Sequence, residues 1–249
     1  IREIGIESSK KYKEFRKINK YPNKKIHGIK NFNNLINKNL NIIIFAISGL
    51  ASLKLALDIA KSGKIIGLAN KECIISLGKN FLNISNKFKS TIIPLDSEHN
   101  SIYRLIKKSN KNFRSITITA SGGPFLNKSK SYLKTITTKE ATSHPIWKMG
   151  KKISVDSATL INKSLEIIEA SILFNLNSKQ IKAVIHPESI LHASLNFDDG
   201  TSECLLSKPD MRISIASLFE ELDKKKFSKN FLDLVTRKKL TFKKIDINQ

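Results

Sequence analysis

Cysteine is almost absent from this 249-residue chain. Cys73 and Cys204 are the only two, which allows neither a disulfide framework nor a CxxC metal pair and suits a reducing compartment. Methionine is as scarce, at Met149 and Met211, and the first residue is Ile1, so the sequence is read as part of a longer chain. No run approaches the ~18 apolar residues of a membrane span, which predicts a soluble protein without a membrane partner. No serine sits in a GxSxG elbow, which excludes the ordinary serine-hydrolase reading. Acidic residues are few, 21 against 44 Lys+Arg, for a net charge of +23. Arginine is scarcer still: only Arg2, Arg16, Arg104, Arg114, Arg212 and Arg237. Arginine is the residue of bidentate base and phosphate recognition, so its scarcity argues against a nucleic-acid surface. The excess also lies at the ends, with +8 in residues 1–40 and +6 in residues 223–249. A Lys-, Asn- and Ile-rich composition reads as the bias of an A/T-rich genome, and the charge as a solubility property first.

What is present supports a folded core: 40% hydrophobic residues and a mean hydropathy of −0.22 exclude wholesale disorder. Residues 8–40 are polar and weakly periodic, with a helix expected near Lys10–Ile18. From Asn41 the pattern sharpens. Strands are expected over Ile42–Ile47, Lys64–Ala69 and Thr91–Leu95, separated by helices over Leu50–Lys61 and Cys73–Phe88. That alternation signals parallel βαβ units, whose functional residues gather at the carboxyl ends of strands. Beyond it, a strand is expected over Ser115–Ala120 and a Pro-containing loop over 140–152. A long helix follows, from Asp156 or Ser157 to about Phe174. Strands then follow at Ala183–His186, Ile190–Asn196 and Thr201–Ser207, the last two joined by an Asp198-Asp199-Gly200 turn, and a helix over Pro209–Leu222. Lys224–Lys226 marks an exit from the folded body.

Asp96 and Glu98 stand two apart after the third strand, so an extended segment would point both carboxylates one way. Asn162, Lys163 and Glu166 share one helical stripe and offer a third carboxylate. Three oxygen ligands make a hard site suited to Mg²⁺ or Mn²⁺, with no Cys or His at zinc spacing. An alternative is a solvated loop with Asp96 or Ser97 as a helix N-cap. Ser157, read as the start of the long helix, places a hydroxyl near a positive dipole end. With Asn162, Lys163 and Ser121 before two glycines it composes a phosphate site; otherwise Ser157 is only a cap and Gly122-Gly123 only a turn. Trp147 and His144 occupy the Pro-containing loop, as a lid or as an anchor, and Lys71 follows the second strand.

These segments occur in a fixed order: Asn70-Lys71-Glu72, Asp96-Ser97-Glu98-His99, Ala120-Ser121-Gly122-Gly123-Pro124-Phe125, the loop from His144 to Gly150, and Lys152 to Thr159. Asn162-Lys163 with Glu166, His186-Pro187-Glu188-Ser189 and Pro209-Asp210-Met211-Arg212 complete the series. Together they closely resemble the 1-deoxy-D-xylulose 5-phosphate reductoisomerase family, from about Ile42 to Leu222. The resemblance implies an oxidoreductase and isomerase that uses NADPH with Mg²⁺ or Mn²⁺ to make 2-C-methyl-D-erythritol 4-phosphate for isoprenoid precursors. It implies an α/β fold, a truncated Rossmann-like parallel sheet domain followed by an α+β catalytic domain. The divisions are 1–92 for NADPH, 93–223 for catalysis, and 224–249 as a linker toward a missing C-terminal helical domain.

By the same resemblance Asp96, Glu98 and Glu166 are metal ligands. Lys71, Glu98, His144 and Trp147 are catalytic, with Trp147 the flap. Lys71, Ser97, Glu98, Ser121, His144, Ser157, Asn162, Lys163 and Glu166 surround the sugar phosphate, and Asn70, Glu72 and Gly150 contact the cofactor. A homodimer is implied, in the bacterial cytoplasm, or in an organellar stroma if a transit segment was lost. The departures are the family's N-terminal GxTGSxG cofactor turn, absent here, and serines at Ser52 and Ser164 where glycine is usual. The alternative is a truncated, non-catalytic relic that retains metal or sugar-phosphate binding.

Overall fold

The computed structural model describes residues 3–6, 8–18, 25–28, 32–36, 40–147, 149–223, 231–237 and 239–245. The chain forms two compact units, Ile1–Ile93 and Pro94–Gln249. In the first, β1 (Glu3–Ile6), α1 (Ser9–Ile18) and β2 (Lys25–Gly28) make a βαβ unit whose strands pair in parallel. Only α1 was expected there. Its strands, EIGI and KIHG, carry glycine and charge in place of a β-branched run, which hides them from pattern reading. After α2 (Phe32–Ile36) come β3 (Ile42–Phe45), a 3₁₀ turn at Leu50–Ser52, α3 (Leu53–Ala60) and β4 (Ile65–Leu68). Next are α4 (Lys71–Leu77), α5 (Lys79–Lys87) and β5 (Thr91–Pro94). The strands form a sheet ordered β3-β4-β5, with β3 and β4 parallel, so this stretch is the α/β architecture expected.

One expected helix, Cys73–Phe88, is two. Gly78, at φ 57° and ψ −144°, ends α4 and opens α5, a conformation that glycine adopts without a Cβ penalty. The helix also begins earlier than expected. Asn70 caps α4 by accepting from the Cys73 N–H, which leaves the backbone of Lys71 and Glu72 in the first helical turn.

The second unit is built on a four-stranded sheet ordered β7-β6-β8-β9, from β6 (Ser115–Ala120), β7 (Ile181–Ile185), β8 (Leu191–Asn196) and β9 (Ser202–Leu206). β6 runs parallel to β7 and antiparallel to β8, and β8 and β9 form the expected hairpin. Gly200 at φ 83° permits its turn. Around the sheet lie α6 (Ser97–Lys108), α7 (Lys130–Leu133), α8 (Thr138–Ala141), α9 (Lys151–Ala158), α10 (Ile161–Leu173) and α11 (Met211–Asp223). Ile102 of α6, Ile116 and Ile118 of β6, Ala170 of α10 and Leu195 of β8 are fully buried in one core. Each large aliphatic side chain so buried contributes about 1.5–3 kcal/mol. This core fixes α6 and α10 on the sheet, and both helices carry site residues at their N-terminal ends. The long helix expected from Asp156 or Ser157 is also two: Leu160, in the left-handed region at φ 58°, separates α9 from α10.

A C-terminal strap closes the edge of β7. Ile185 and Lys243 exchange both backbone hydrogen bonds at 2.9 Å. His186 Nδ1 donates to the Thr241 carbonyl at 2.9 Å, and its ring stacks on Phe242 with centroids 4.9 Å apart. Glu188 accepts from the Thr241 N–H and hydroxyl at 3.1 and 2.7 Å. The expected linker over 224–249 thus has a docked portion at 241–243. Residues 224–230, 238 and 246–249, including the exit expected at Lys224–Lys226, lie outside the described residues. Glu188→Ala removes an ionised acceptor from two donors and is expected to cost about 2 kcal/mol. Urea unfolding followed by the fluorescence of Trp147, the sole tryptophan, measures the loss.

Candidate active site

The N-terminus of α6 brings Asp96 and Glu98 together by helical geometry, not by the extended spacing expected. Asp96 caps the helix, its side chain accepting from the Glu98 N–H, so the capping alternative and the ligand reading describe one residue. Glu166 enters from α10. Oxygen atoms of Asp96, Glu98 and Glu166 all lie within 4.8 Å of one another. Glu166 and Lys163 are buried, at 1% and 5% exposure. The Lys163 ammonium donates to Glu98 Oε1 at 2.7 Å and to Glu166 Oε2, and Asn162 Nδ2 donates to Glu166 Oε1. Ser97 Oγ donates to Glu98 Oε2. Two of the four residues expected to clamp phosphate, Asn162 and Lys163, therefore turn their side chains onto a carboxylate.

The electrostatics follow from crowding. Burial first, then the Glu166 carboxylate, push Glu98 up to about 7, with Lys163 pulling the other way. Burial disfavours the charge on Lys163, but Glu166 and Glu98 outweigh it and hold the ammonium above its ordinary range. Behind the cluster, His99 is fully buried; burial opposes its charge, yet Glu169 and Asp96 raise it to about 9. The sequence motif that contains His99 gives it no role, and Glu169 lies outside the motifs. Glu169 stands i+3 from Glu166 on α10, a spacing that solvent-facing glutamates share, so the sequence does not set it apart.

The glycine-rich loop after β6 meets the end of α9. Gly123 has φ +67°, and a Cβ there would lie 2.7 Å from the Ser157 carbonyl oxygen, so the two segments touch through bare backbone. Ser157 is the penultimate residue of α9, not the start of a helix; the helix start lies beyond it, at α10, whose N-cap Leu160 donates its N–H to the Ser157 carbonyl. Ser121 Oγ lies 2.9 Å from His144 Nε2, and His144 Nδ1 accepts from the Ile146 and Trp147 N–H groups at 3.1 and 2.9 Å. With Nδ1 an acceptor, the neutral ring carries its proton on Nε2 and donates to Ser121; burial lowers its affinity for a second proton. His144 thereby pins the Trp147 loop to the Gly-rich loop. Trp147 lies with its ring 6.3 Å from that of His192. His192 is buried, its Nε2 has no hydrogen-bond partner among the described residues, and burial lowers it to about 4. Gly150 is exposed and caps α9 without a side chain.

The remaining expected residues, Asn70, Lys71 and Glu72, belong to the other unit. Asn70 and Lys71 are buried. The Asn70 amide donates to the carbonyls of Ile47 and Gly49 and to Ser52 Oγ, so this side chain ties α4 to the turn after β3.

A parallel α/β unit joined to a second unit with a partly buried, all-oxygen carboxylate cluster defines an α/β protein with a candidate divalent-metal centre. Residues 2–78 match the family described as 1-deoxy-D-xylulose 5-phosphate reductoisomerase, and residues 92–174 match the C-terminal domain of the same enzyme. The chain belongs to the 1-deoxy-D-xylulose 5-phosphate reductoisomerase family. The match reaches residue 2, so the stretch before Ile42, outside the quoted motifs but placed in the NADPH division, is also of the family. The reductoisomerase of Wolbachia pipientis subsp. Culex pipiens is 46% identical over 208 residues, 83% of this chain and 53% of its own length. That of Pelagibacter ubique is 46% identical over 232 residues, 90% of this chain and 59% of its own. A crystal structure of DOX-P reductoisomerase with NADPH, fosmidomycin and magnesium superposes with a TM-score of 0.85 at 34% identity, over 99% of this chain and 64% of that one. The Zymomonas mobilis enzyme with NADPH gives 0.84 at 30% identity, covering 99% and 64%. The chain spans about half the length of the curated relatives it matches.

Below about pH 7 a proton on Glu98 competes with any cation entering the cluster. Binding of Mn²⁺ is therefore expected to release a proton at pH 6.5, to release less at pH 8.5, and to weaken as pH falls. Calorimetry in two buffers of different ionisation enthalpy counts that proton.

Proposed function

We propose that this chain carries the catalytic centre of an NADPH-dependent enzyme. It rearranges and reduces 1-deoxy-D-xylulose 5-phosphate to 2-C-methyl-D-erythritol 4-phosphate in isoprenoid precursor synthesis. The observation that carries the reading is the convergence of Asp96, Glu98 and Glu166 within 4.8 Å. Hard carboxylate oxygens without a sulfur or imidazole ligand fit Mg²⁺ or Mn²⁺. When bound there, the cation supplies Lewis acidity to the substrate's carbonyl and hydroxyl oxygens. The protein's part is positional. Lys163 neutralises Glu98 and Glu166, and Asn162 orients Glu166. Ser121 and Ser157 hold the phosphate, a role supported by the packing of the Ser121-Gly122-Gly123 loop on Ser157, and Asn162 and Lys163 join them once released from Glu98 and Glu166. Lys71, Ser97 and His144 are each assigned to the substrate backbone, and Trp147 to the flap that excludes water.

NADPH, when bound, supplies the hydride for the rearranged aldehyde. Asn70, Glu72 and Gly150 are assigned to it, and residues 1–92 form the cofactor domain, 93–223 the catalytic domain and 224–249 the linker. Fit to the cofactor is partial. The turn between β3 and the next helix holds one glycine, Gly49, with open space around it, and no GxTGSxG sequence occurs in the chain. A pyrophosphate cradle of the glycine-rich kind is thus not among these residues. The whole enzyme is assigned to the cytoplasm as a homodimer; no described helix is long and apolar enough to cross a membrane.

In the full-length enzyme, Glu98→Gln is expected to abolish metal-dependent turnover while leaving the circular dichroism unchanged; retained turnover would refute the centre. Lys163→Ala removes a charge-assisted contact of about 1.5–3 kcal/mol and is expected to raise KM for the sugar phosphate roughly ten- to a hundredfold. Residues 1–249 alone are expected to bind NADPH weakly or not at all. Calorimetric titration checks this, and tight binding would relocate the pyrophosphate site to the region of Gly28 or Gly49.

A further inference from the structure

Two of the three clustered carboxylates, Asp96 and Glu166, come from segments 70 residues apart, and one side chain joins them. His99, fully buried on α6, turns Nε2 to the backbone carbonyl of Glu166 at 2.9 Å. A carbonyl only accepts, so Nε2 carries a proton and donates. The other nitrogen, Nδ1, lies 3.2 Å from Asp96 Oδ1 and 3.5 Å from Glu169 Oε2. Phe174 stacks on the ring with centroids 6.3 Å apart and 14° between the planes. Glu169 is itself 2% exposed. A buried carboxylate is costly unless it is paired, and this one does not belong to the cluster of three.

We propose that Glu169, acting through His99, is a positioning residue for the carboxylate centre: it holds the imidazole in the one orientation that fixes Asp96 and the Glu166 backbone together. This rests on the reading of Asp96, Glu98 and Glu166 as a divalent-cation site. The Nδ1 edge faces two carboxylates, and only Asp96 is in the cluster. With Glu169 present, the ring is held from both sides of that edge, and Asp96 keeps the rotamer that both caps α6 and faces Glu166. Without it, the Nδ1 edge of the ring faces Asp96 alone, and the orientation of the imidazole toward Asp96 loses its second charged anchor. Outer partners of this kind set ligand orientation and typically change metal affinity 10–100-fold when removed.

The test uses the chain of residues 1–249 with Mn²⁺ alone, its affinity measured by electron paramagnetic resonance and its fold by thermal unfolding. Glu169→Gln keeps the shape and a side-chain oxygen but loses the charge. It is expected to weaken Mn²⁺ binding 10–100-fold while its unfolding midpoint stays near that of the unsubstituted chain, and to broaden the Mn²⁺ spectrum through a less regular ligand field. Glu203→Gln, on the exposed face of β9, is expected to change neither. Unchanged Mn²⁺ affinity in Glu169→Gln would overturn the proposal. Should Glu169→Gln fail to fold, Glu169→Asp retains the charge but withdraws it by one methylene. The same weakening is expected, and wild-type affinity there would likewise overturn it. If instead the unsubstituted chain binds Mn²⁺ no better than Glu98→Gln, the cation reading itself fails, an outcome distinct from equal binding by the unsubstituted and Glu169→Gln chains.

Discussion

Three carboxylates held within 4.8 Å of one another repel, and the second unit is organised around containing that repulsion. At an effective dielectric near 20, two unit charges this close oppose each other by roughly 3–4 kcal/mol. The chain meets the cost with a buried lysine between Glu98 and Glu166, a buried histidine against Asp96, and a protonation affinity on Glu98 raised to about 7. Such an arrangement is poor value for stability alone, since apolar packing of similar volume is often as good or better. The cost of gathering three carboxylates at one point is the physical ground for assigning them a ligand.

Backbone breaks place these groups. A single helix from Asp156 to Phe174 would fix the angular relation of Ser157 to Glu166 along one axis. The left-handed residue Leu160 divides it instead, so Ser157 lies against Gly123 while Asn162, Lys163 and Glu166 run along a second helix. The Asp96 cap does similar work at α6, combining helix initiation with a role in the cluster. His144 then ties the Trp147 loop to Ser121 through both ring nitrogens.

The fold was legible in the sequence where side-chain period carried the signal. Ile42–Phe45, Ile65–Leu68 and Ser115–Ala120 are short β-branched runs, and the strands fall within the expected limits. It was illegible where backbone conformation decides: Gly78 and Leu160 each divide an apolar period that continues unbroken through them. The β1 and β2 strands, EIGI and KIHG, are too short and too glycine-interrupted for a period to stand out. In the site, Asp96, Glu98 and Glu166 were visible as residue types at a spacing, although a helix cap, not an extended strand, brings the first two together. Glu169 and His192 were not, because a buried polar group looks like any surface residue until its surroundings are known.

The central claim is that Asp96, Glu98 and Glu166 form one divalent-cation centre within residues 94–249. The most direct test is a crystal of this chain grown with Mn²⁺ and measured near the manganese absorption edge. The account predicts a single strong anomalous peak bounded by carboxylate oxygens of all three residues at about 2.0–2.2 Å, with the Lys163 ammonium displaced from between Glu98 and Glu166. No peak at these residues under saturating Mn²⁺, or a peak bound elsewhere while Lys163 keeps both carboxylates, would contradict it.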